Sequence, residues 1–485
     1  MQSFGHREGR AALSRDEHVQ GSDERDGARR HKRTGRWLTW LICVGLGAVL
    51  MIALALVSHS LVKPFVDEGV HFAQIRQFLE GDWSQHPKLT TLTLYHATLA
   101  VVLIGVQTLG EWLHLPLAAA LPDGRWPGMP SVDWARGISL VGFMLLALLV
   151  WRLLPSTYQR LDHALPLPQA RHEASRQCWQ WIWLPIIFPY LALVYTDPWI
   201  ITLVALQLVM LVLQRRIMLL VLIFAGLGLR QDSIVLLGLW GGLLLFMTHQ
   251  QARQAALSDD GCGAFHSPLR RLATWWSLTQ RWWWVALIPV LAFLVFLEWN
   301  GGIAMGDTSR HQAGWHTGNV GYYLSVIGMV FLPLWLADLP RQWRLVCQRP
   351  WCLVALLGMT LILATTYGVT HDYNFQLWTI RNRWLLWLRD HPAGLWVTML
   401  LCSSVALWWL RAPLRLGNGG LLLLMLALMI CSRELIETRY MLPLITVFQL
   451  LRVPERPAVE RAMTLWAMAM GAMLLAGLVL TRTLP

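Results

Sequence analysis

The segment Lys63–Thr91 reads KPFVDEGVHFAQIRQFLEGDWSQHPKLTT and is a polar, acid-rich loop that begins where the first long apolar run of the chain ends. That run starts at Trp37, and further runs rich in Leu, Val and Trp make up most of the chain beyond Thr91. Within the segment, Asp67 and Glu68 are adjacent. Carboxylates at a membrane boundary cost solvation free energy unless they are exposed, paired or functional. The segment is therefore either a solvated turn or the place where the chain carries its chemistry.

The composition indicates a membrane protein. Of 485 residues, 55% are hydrophobic and 14% are charged, whereas soluble domains carry about 25% charged residues. The 29 tryptophans are typical of several spans with aromatic belts at the bilayer surface. The net charge of +12 is compatible with nucleic-acid binding or with positive charge held on the cytoplasmic side. Arginines in short loops between apolar runs favour the second interpretation.

The seven cysteines form no CxxC pair and have no metal-ligand spacing, and most lie in or beside apolar runs. This pattern predicts buried thiols without a disulfide framework. His316 and the histidine of the 306–311 loop have no partner ligands at usable spacing. We expect neither a metal site nor a cofactor.

The chain divides into a tail and one membrane domain. Residues 1–36 are polar and basic and contain almost no apolar residues, which predicts a disordered cytoplasmic tail. The RRHKRTGR cluster before the first apolar run predicts a cytoplasmic N-terminus. Residues 37–485 form the transmembrane domain, in which residues 59–133 are a first outer loop with interfacial helices. The apolar positions after Glu68 are compatible with a short amphipathic helix lying on the membrane.

Apolar runs of span length or nearly so recur along the domain. After the first, they cover 92–115, 134–151, 179–196, 198–214, 216–229, 232–248, 283–299, 321–338, 350–366, 393–410, 418–432, 440–452 and 462–480. If 92–115 lies in the interface or dips back instead of crossing, the arginine-rich loops all fall inside, as the positive-inside rule requires. That choice predicts an all-α polytopic bundle of about 13 transmembrane helices.

The same choice places the remaining polar clusters on the outer face. They are the segments 195–197, 230–232, 306–311, 371–383 and 433–440. Four of the five have an ordinary explanation: tight hairpins for 195–197 and 230–232, a loop for 306–311, and internal ion pairs for 433–440. Lys88 is equally compatible with an interfacial lysine and with a phosphate ligand. Arginines on an outer face run against the charge rule, however, and anion binding explains them better.

Taken in order, these segments resemble a known family, the membrane α-1,2-glucosyltransferases that add the last glucose to the dolichol-linked oligosaccharide of asparagine-linked glycosylation. That family has an early motif like MDE-x-FH-x-PQAQ-x-Y and a KITT-like segment, which resemble VDEGVHFAQIRQFLEGDW and PKLTTLTLY here. Its YTD, RQTN, GD-x-SNH and E-x-RY-x-LP motifs resemble segments at residues 195–197, 230–233, 306–311 and 437–443. Two departures stand out: only Arg381 of LWTIRNRW fits a further family stretch, and Arg310 replaces an Asn.

The resemblance implies a GT-C fold and transfer of a hexose, with glucose the implied sugar, from a polyprenyl- or dolichyl-phosphate donor. The acceptor is a glycan or a lipid-linked saccharide. Inverting transfer needs a general base for the acceptor hydroxyl and cations for the leaving phosphate. We predict Asp67 as the base, with Glu68 as a second base or a partner of the acceptor hydroxyl. The predicted donor- and substrate-binding residues are Lys88, Arg230, Gln231, Asp307, His311, Arg381, Glu437, Arg439 and Tyr440.

The arginine-rich tail and short loops are typical of a bacterial protein, so we expect an inner-membrane enzyme with a periplasmic active site. A transporter or flippase of a lipid-linked saccharide is the alternative, and a non-catalytic membrane subunit is a third. Transporters place polar residues at the middle of the membrane in broken helices. Here the charges lie mostly at the ends of apolar runs on one face, which favours the enzyme.

Overall fold

A computed structural model of the chain describes residues 45, 47–61, 67–113, 132–258, 268–303, 305, 314–377 and 379–481. The predicted tail, residues 1–36, lies outside them. The chain divides into two units between Leu56 and Val57. In the first unit, residues 47–56 belong to helix α1, Gly47–Ser60; the candidate active site lies wholly in the second.

The described residues are mainly helical and form no extended strand; an isolated β-bridge joins Leu414 and Arg452. After α1 the helices are α2 (Glu68–Leu79), α3 (Leu94–Trp112), α4 (Val132–Leu161), α5 (Leu167–Ile182), α6 (Asp197–Val212), α7 (Arg216–Leu229), α8 (Leu236–Ser258), α9 (Pro268–Asn300), α10 (Asn319–Val330), α11 (Leu332–Gln348), α12 (Pro350–Thr366), α13 (Ile380–Asp390), α14 (Pro392–Arg411), α15 (Gly419–Cys431), α16 (Leu442–Leu451) and α17 (Pro457–Thr481). The predicted all-α class is confirmed.

Several helices are apolar enough to cross a membrane. Among the described residues five are also long enough, and the bent pair α10–α11 makes a sixth if it is one span. Six shorter apolar helices of 10–17 residues accompany them, including the segment Leu94–Leu109 of α3. The chain is thus an integral, multi-pass membrane protein, but the predicted count of about 13 crossings is not confirmed. Whether α3 crosses the bilayer stays a prediction.

The apolar run 179–196 is not the helix that its hydrophobicity suggested. Helix α5 ends at Ile182, and the backbone beyond it forms turns and a short 3-10 helix, Phe188–Ala192. Pro185 and Pro189 explain the break, because proline has no N–H to donate and its ring clashes with the preceding helical turn. Residues 183–196 are all buried, so irregular backbone is tolerated here at the depth of apolar helices.

The predicted run 321–338 is also interrupted. It divides into α10 and α11, whose axes differ by 102°. The break falls at Phe331, and Pro333 follows within the first turn of α11. A proline in the first turn is compatible with starting a new helix but not with continuing the old one.

Helices α6 and α16 form the centre of the second unit. All ten residues of α16, and all residues of α6 except Trp199, are buried. The two helices pack against each other, and α6 also packs on α4 and α7. Because α16 is only ten residues long, it measures about 15 Å, and charged residues flank both of its ends.

At the C-terminal end of α16, Arg452 donates to both carboxylate oxygens of Glu460, at 2.6 and 2.8 Å. Gln180 of α5 donates to Glu460 at 3.1 Å, and Tyr158 of α4 donates to the carbonyl of Leu450 at 2.9 Å. A buried charge is stable only when it is paired and hydrogen-bonded. This polar cluster therefore joins α4, α5, α16 and α17 at one end of the unit.

Candidate active site

Helix α2 begins directly after Asp67 and ends in a left-handed turn. Glu68 occupies its first turn, where a carboxylate interacts favourably with the helix dipole. Gly81, with a φ of 84°, lies just beyond the last turn; glycine adopts this conformation without a steric penalty. One face, which includes Glu68, His71, Ile75 and Phe78, is buried. The short helix predicted after the acidic pair is present.

Glu68 is completely buried and fully engaged. Its Oε1 and Oε2 accept hydrogen bonds from Arg136 at 2.8 and 2.6 Å, and the backbone N–H of Val194 donates to Oε1 at 2.9 Å. Both side chains have zero exposure. Arg136, on α4, also donates to the carbonyl of Leu61 at 2.9 Å. Glu68 thus ties α2 to α4 and to the irregular segment before α6, and its carboxylate has no open face for an acceptor hydroxyl.

Asp67 has a different environment from its neighbour. Its side chain is 36% exposed, and Oδ2 accepts one hydrogen bond from Nη2 of Arg439 at 3.0 Å. Arg439 lies just before α16, 372 residues further along the chain. Its guanidinium also contacts Glu437 at 2.6 Å and lies 3.7 Å from Asp197. Asp67 is therefore an accessible carboxylate at the edge of a buried arginine site.

The ion pairs continue from Asp197 towards α15. Arg230 donates to Oδ1 of Asp197 at 2.7 Å and to Oδ2 of Asp232 at 2.9 Å. Arg433 donates to the same oxygen of Asp232 at 2.6 Å. The guanidinium of Arg433 lies over the ring of Tyr440 at 4.0 Å, and that of Arg230 lies 5.6 Å from the same ring. The ring thus provides a π-face for two cations.

On its other side the chain of ion pairs ends at α13. Nη1 of Arg381 lies 3.7 Å from Oε1 of Glu437. Burial alone would raise the pKa of Glu437, but Arg439 and Arg381 outweigh it and lower this pKa to about 2, so Glu437 stays ionised. We call the connected set the charged network; its members are Asp67, Asp197, Arg230, Asp232, Arg381, Arg433, Glu437 and Arg439.

The loop after α2 also reaches this region. The side chain of Gln231 donates to the carbonyl of Thr90 at 2.6 Å, and the backbone N–H of Met305 donates to the same carbonyl at 3.3 Å. Lys88, two residues earlier, is exposed and makes no ion pair with the described residues. The predicted site residues Asp307 and His311 lie outside those residues. Among the residues that are described, no three His, Cys, Asp or Glu side chains gather as a metal site.

A histidine pair beneath the network was missing from the predicted site. Nδ1 of His71 lies 2.8 Å from Nε2 of His96, and the rings stack with centroids 5.1 Å apart. Tyr195 lies 5.5 Å from His71, and the guanidinium of Arg439 lies 5.4 Å from the Tyr195 ring. Burial, followed by the charges of Arg439 and Arg230, lowers the pKa of His71 to about 3. His71 is therefore a neutral group, and Tyr195 lies between it and Arg439.

Three further members of the network were not predicted as site residues: Asp197, Asp232 and Arg433. Each lies in a polar segment that the sequence had placed on the outer face, so the position was a usable signal. Arg136 had a signal too, since an arginine at the start of an apolar run is expected to have a buried partner. Only the structure identifies that partner as Glu68.

The network draws on the N-terminal end of α2, the starts of α6 and α13, and the segments after α7 and before α16. A family model described as the DIE2/ALG10 family matches residues 61–450, which include every member of the network. The chain belongs to the DIE2/ALG10 family. The resemblance predicted from the short motifs is confirmed.

Individual relatives are distant in sequence, but the three described here carry the same name. The chain is 23% identical over 366 residues to a rat protein named Dol-P-Glc:Glc(2)Man(9)GlcNAc(2)-PP-Dol alpha-1,2-glucosyltransferase, covering 66% of this chain and 70% of the relative. A Candida albicans protein of the same name is 22% identical over 72% of this chain and 71% of its own. A Debaryomyces hansenii protein, also of that name, is 24% identical over 32% of this chain and 33% of its own length. No solved structure matches the chain.

These names describe alpha-1,2-glucosyltransferases with Dol-P-Glc and Glc(2)Man(9)GlcNAc(2)-PP-Dol as the two substrates. They agree with the enzyme class predicted from the sequence, a glycosyltransferase. The family match covers the site, since residues 61–450 contain both Asp67 and Arg439, together with the helices from α2 to α15.

Proposed function

We propose that this chain transfers a glucosyl group from a polyprenyl- or dolichyl-phosphate donor to a hydroxyl of a glycan or lipid-linked acceptor. The observation that carries the proposal is the accessible carboxylate of Asp67 on a network of four arginines, in a chain of the DIE2/ALG10 family. A hydroxyl nucleophile needs a base, and a phosphate leaving group needs cations. The site offers both within one chain of contacts.

In the proposed reaction, the oxygen of the acceptor hydroxyl attacks the anomeric carbon of the donor sugar. Asp67 takes the proton of that hydroxyl. The bond from that carbon to the phosphate oxygen breaks, and the lipid phosphate leaves with the electron pair. A single displacement of this kind inverts the anomeric configuration. Arg439 and Arg230 stabilise the negative charge on the leaving phosphate, and Lys88 contributes from the neighbouring loop.

Glu68 has a structural role in this proposal. Its two oxygens hold Arg136 and the backbone of Val194, which leaves Asp67 as the base. Gln231, Arg381, Glu437 and Tyr440 shape the substrate site through their contacts with the network and the loop after α2. The donor's prenyl chain lies along the apolar face of α3, where Val101, Ile104 and Leu109 are exposed.

The proposed architecture is a GT-C bundle with the network on the outer, periplasmic face of a bacterial inner membrane. The positive-inside distribution of arginines supports this orientation. The charged network at one end of α16, opposite the cluster around Arg452, agrees with a molecule whose two ends face different compartments.

The direct test is Asp67→Asn in the full chain, assayed in proteoliposomes with a labelled polyprenyl-phosphate glucose. We expect transfer to fall at least about a hundredfold, the usual contribution of a general base. Glu80→Gln, an exposed substitution just after the same helix, is the control and is expected to keep wild-type activity. Wild-type transfer by the Asp67→Asn protein contradicts the base assignment, and translocation of the donor without transfer indicates a flippase.

A further inference from the structure

The charged network carries no net formal charge, because four guanidinium groups face four carboxylates. Every arginine in it is already paired: Arg381 and Arg439 with Glu437, Arg230 with Asp197 and Asp232, and Arg433 with Asp232. A phosphate ester brings at least one negative charge. An additional anion in a largely buried site is costly unless it obtains its own cation. Lys88 of the neighbouring loop is exposed and lies outside this set, so a phosphate that binds an arginine of the network does so most easily by taking the place of a carboxylate.

The four carboxylates are held with very different strength. Asp197 and Glu437 are 1% and 9% exposed, and each contacts two arginines. Asp232 is 21% exposed and is also shared by two arginines. Asp67 is 36% exposed and has one ion-pair contact among the described residues, with Arg439. Since an exposed ion pair is worth little and water can solvate the released group, Asp67 is the carboxylate that leaves at the lowest cost.

Contacts with residues other than Asp67 hold Arg439 in place when Asp67 leaves. Its Nε and Nη2 both contact Oε2 of Glu437, at 2.8 and 2.6 Å. Its Nη1 faces Asp197 at 3.7 Å, and its guanidinium lies over Tyr195. The Nη2 atom that binds Asp67 is thus a fixed donor, on a side chain that is 18% exposed, with a replaceable partner.

We propose that Asp67 occupies, in the absence of substrate, the position on Arg439 that the lipid-linked phosphate takes when the donor binds. This inference rests on the proposed function and deepens it, because it makes the donor phosphate the group that releases the base. The carboxylate displaced from Arg439 becomes available to the acceptor hydroxyl only after the phosphate has replaced it. Donor binding thus precedes activation of the acceptor.

The replacement of Asp67 by a phosphate on Arg439, here called the exchange, makes a prediction that the role of Asp67 as the base does not make by itself. Removing the charge of Asp67 removes the competitor for Arg439, so Asp67→Asn must bind a lipid phosphate more tightly while it loses transfer. The probe is farnesyl phosphate, titrated against the purified full chain in detergent, with binding followed by tryptophan fluorescence. Water screens a partly exposed ion pair and makes it weak, so we expect a Kd lower by about three- to fivefold.

Two controls separate the phosphate from other effects. Farnesol, which has the prenyl chain and no phosphate, is expected to bind wild type and Asp67→Asn equally. Asp67→Glu keeps the charge and is expected to bind farnesyl phosphate with nearly wild-type affinity. If Asp67→Asn does not fold, Asp67→Ala, which also removes the charge, is measured in its place.

An unchanged or weaker affinity of the neutral variant for farnesyl phosphate, with unchanged farnesol binding, overturns the exchange. This outcome is distinct from a failure of the proposed function. Loss of transfer without tighter binding refutes the exchange and leaves Asp67 as the base. Tighter binding with full transfer supports competition at Arg439 and refutes the base.

Discussion

Asp67 and Glu68 are neighbours in sequence with opposite surroundings. Glu68 is completely buried, and both of its oxygens are hydrogen-bonded to Arg136, whereas Asp67 lies at the edge of the network with a single ion pair. The difference arises at the start of α2, where Asp67 precedes the helix and Glu68 begins its buried face. One carboxylate thus anchors the helix, and the other is left accessible.

This division predicts separate effects of the two amide substitutions. Glu68→Gln removes the buried counter-charge of Arg136 and leaves it the partly exposed Asp133, 3.0 Å away; breaking a buried pair in this way costs about 3–5 kcal/mol. We expect a clear fall in the melting temperature of the detergent-solubilised protein, measured by differential scanning fluorimetry. Asp67→Asn, in a half-exposed position, is expected to change that temperature much less.

The matched control for Glu68 removes both charges. The double variant Glu68→Leu with Arg136→Met leaves no unpaired charge in the interior, and apolar replacement of a buried pair is often neutral. We expect it to be more stable than Glu68→Gln alone. Equal loss of stability in both proteins would mean that the ion pair is not the reason why Glu68 matters.

At the scale of elements, close contacts between helices depend on glycine. Gly419 is the first residue of α15, and a Cβ at this position would fall on the backbone carbonyl of Trp409 in α14. Backbone atoms cannot move aside as a flexible side chain can. The connection between α14 and α15 therefore requires glycine at this position, and the downstream segment that carries Arg433, Glu437 and Arg439 depends on the placement of α15.

We predict that Gly419→Ala destabilises the protein by about 1–3 kcal/mol, the usual cost of overpacking. Gly358→Ala in α12 is the control, because a Cβ there meets no atom within 4 Å. Alanine also has the higher helix propensity, so the control is expected to be neutral or slightly stabilising. The measurement is the melting temperature of each variant. Equal values would show that α14 and α15 can move apart without loss of stability.

At the scale of the whole molecule, charge separates along the bundle. The charged network lies before the N-terminal end of α16, and Arg452 with Glu460 lies after its C-terminal end. The proposed topology places these ends on opposite sides of the membrane. Exposed residues on each side can be distinguished by a thiol reagent that does not cross lipid.

We expect Cys347, which is exposed at the end of α11, to be labelled only from the cytoplasmic side, in inside-out vesicles. Ser84→Cys, at an exposed position in the loop after α2, is expected to be labelled only from the periplasmic side of intact spheroplasts. Each is tested as the single cysteine of the chain, the others being replaced by serine. Labelling of both from the same side would contradict the proposed orientation of the site.

The sequence by itself determined the membrane class, the family and the segments that carry charge. These properties depend on local information, since apolar runs partition into lipid regardless of their neighbours and short motifs keep their order along the chain. It also predicted the helix after Asp67, which the structure contains; the substrate-binding role of Arg439 stays a prediction. Pro185 and Pro189 are helix-breaking residues, but the apolar run 179–196 was identified from its hydrophobicity alone.

Only the tertiary structure decided which charges are partners. Asp67 and Arg439 are 372 residues apart, and Glu68 and Arg136 are 68 residues apart; no local pattern specifies such pairs. Burial then decided the difference between two adjacent carboxylates, because desolvation forces Glu68 to hold a counter-charge while water can still reach Asp67. Which of two neighbouring acids is accessible depends on the packing of α2 against α4 and the segment before α6, which only the folded chain defines.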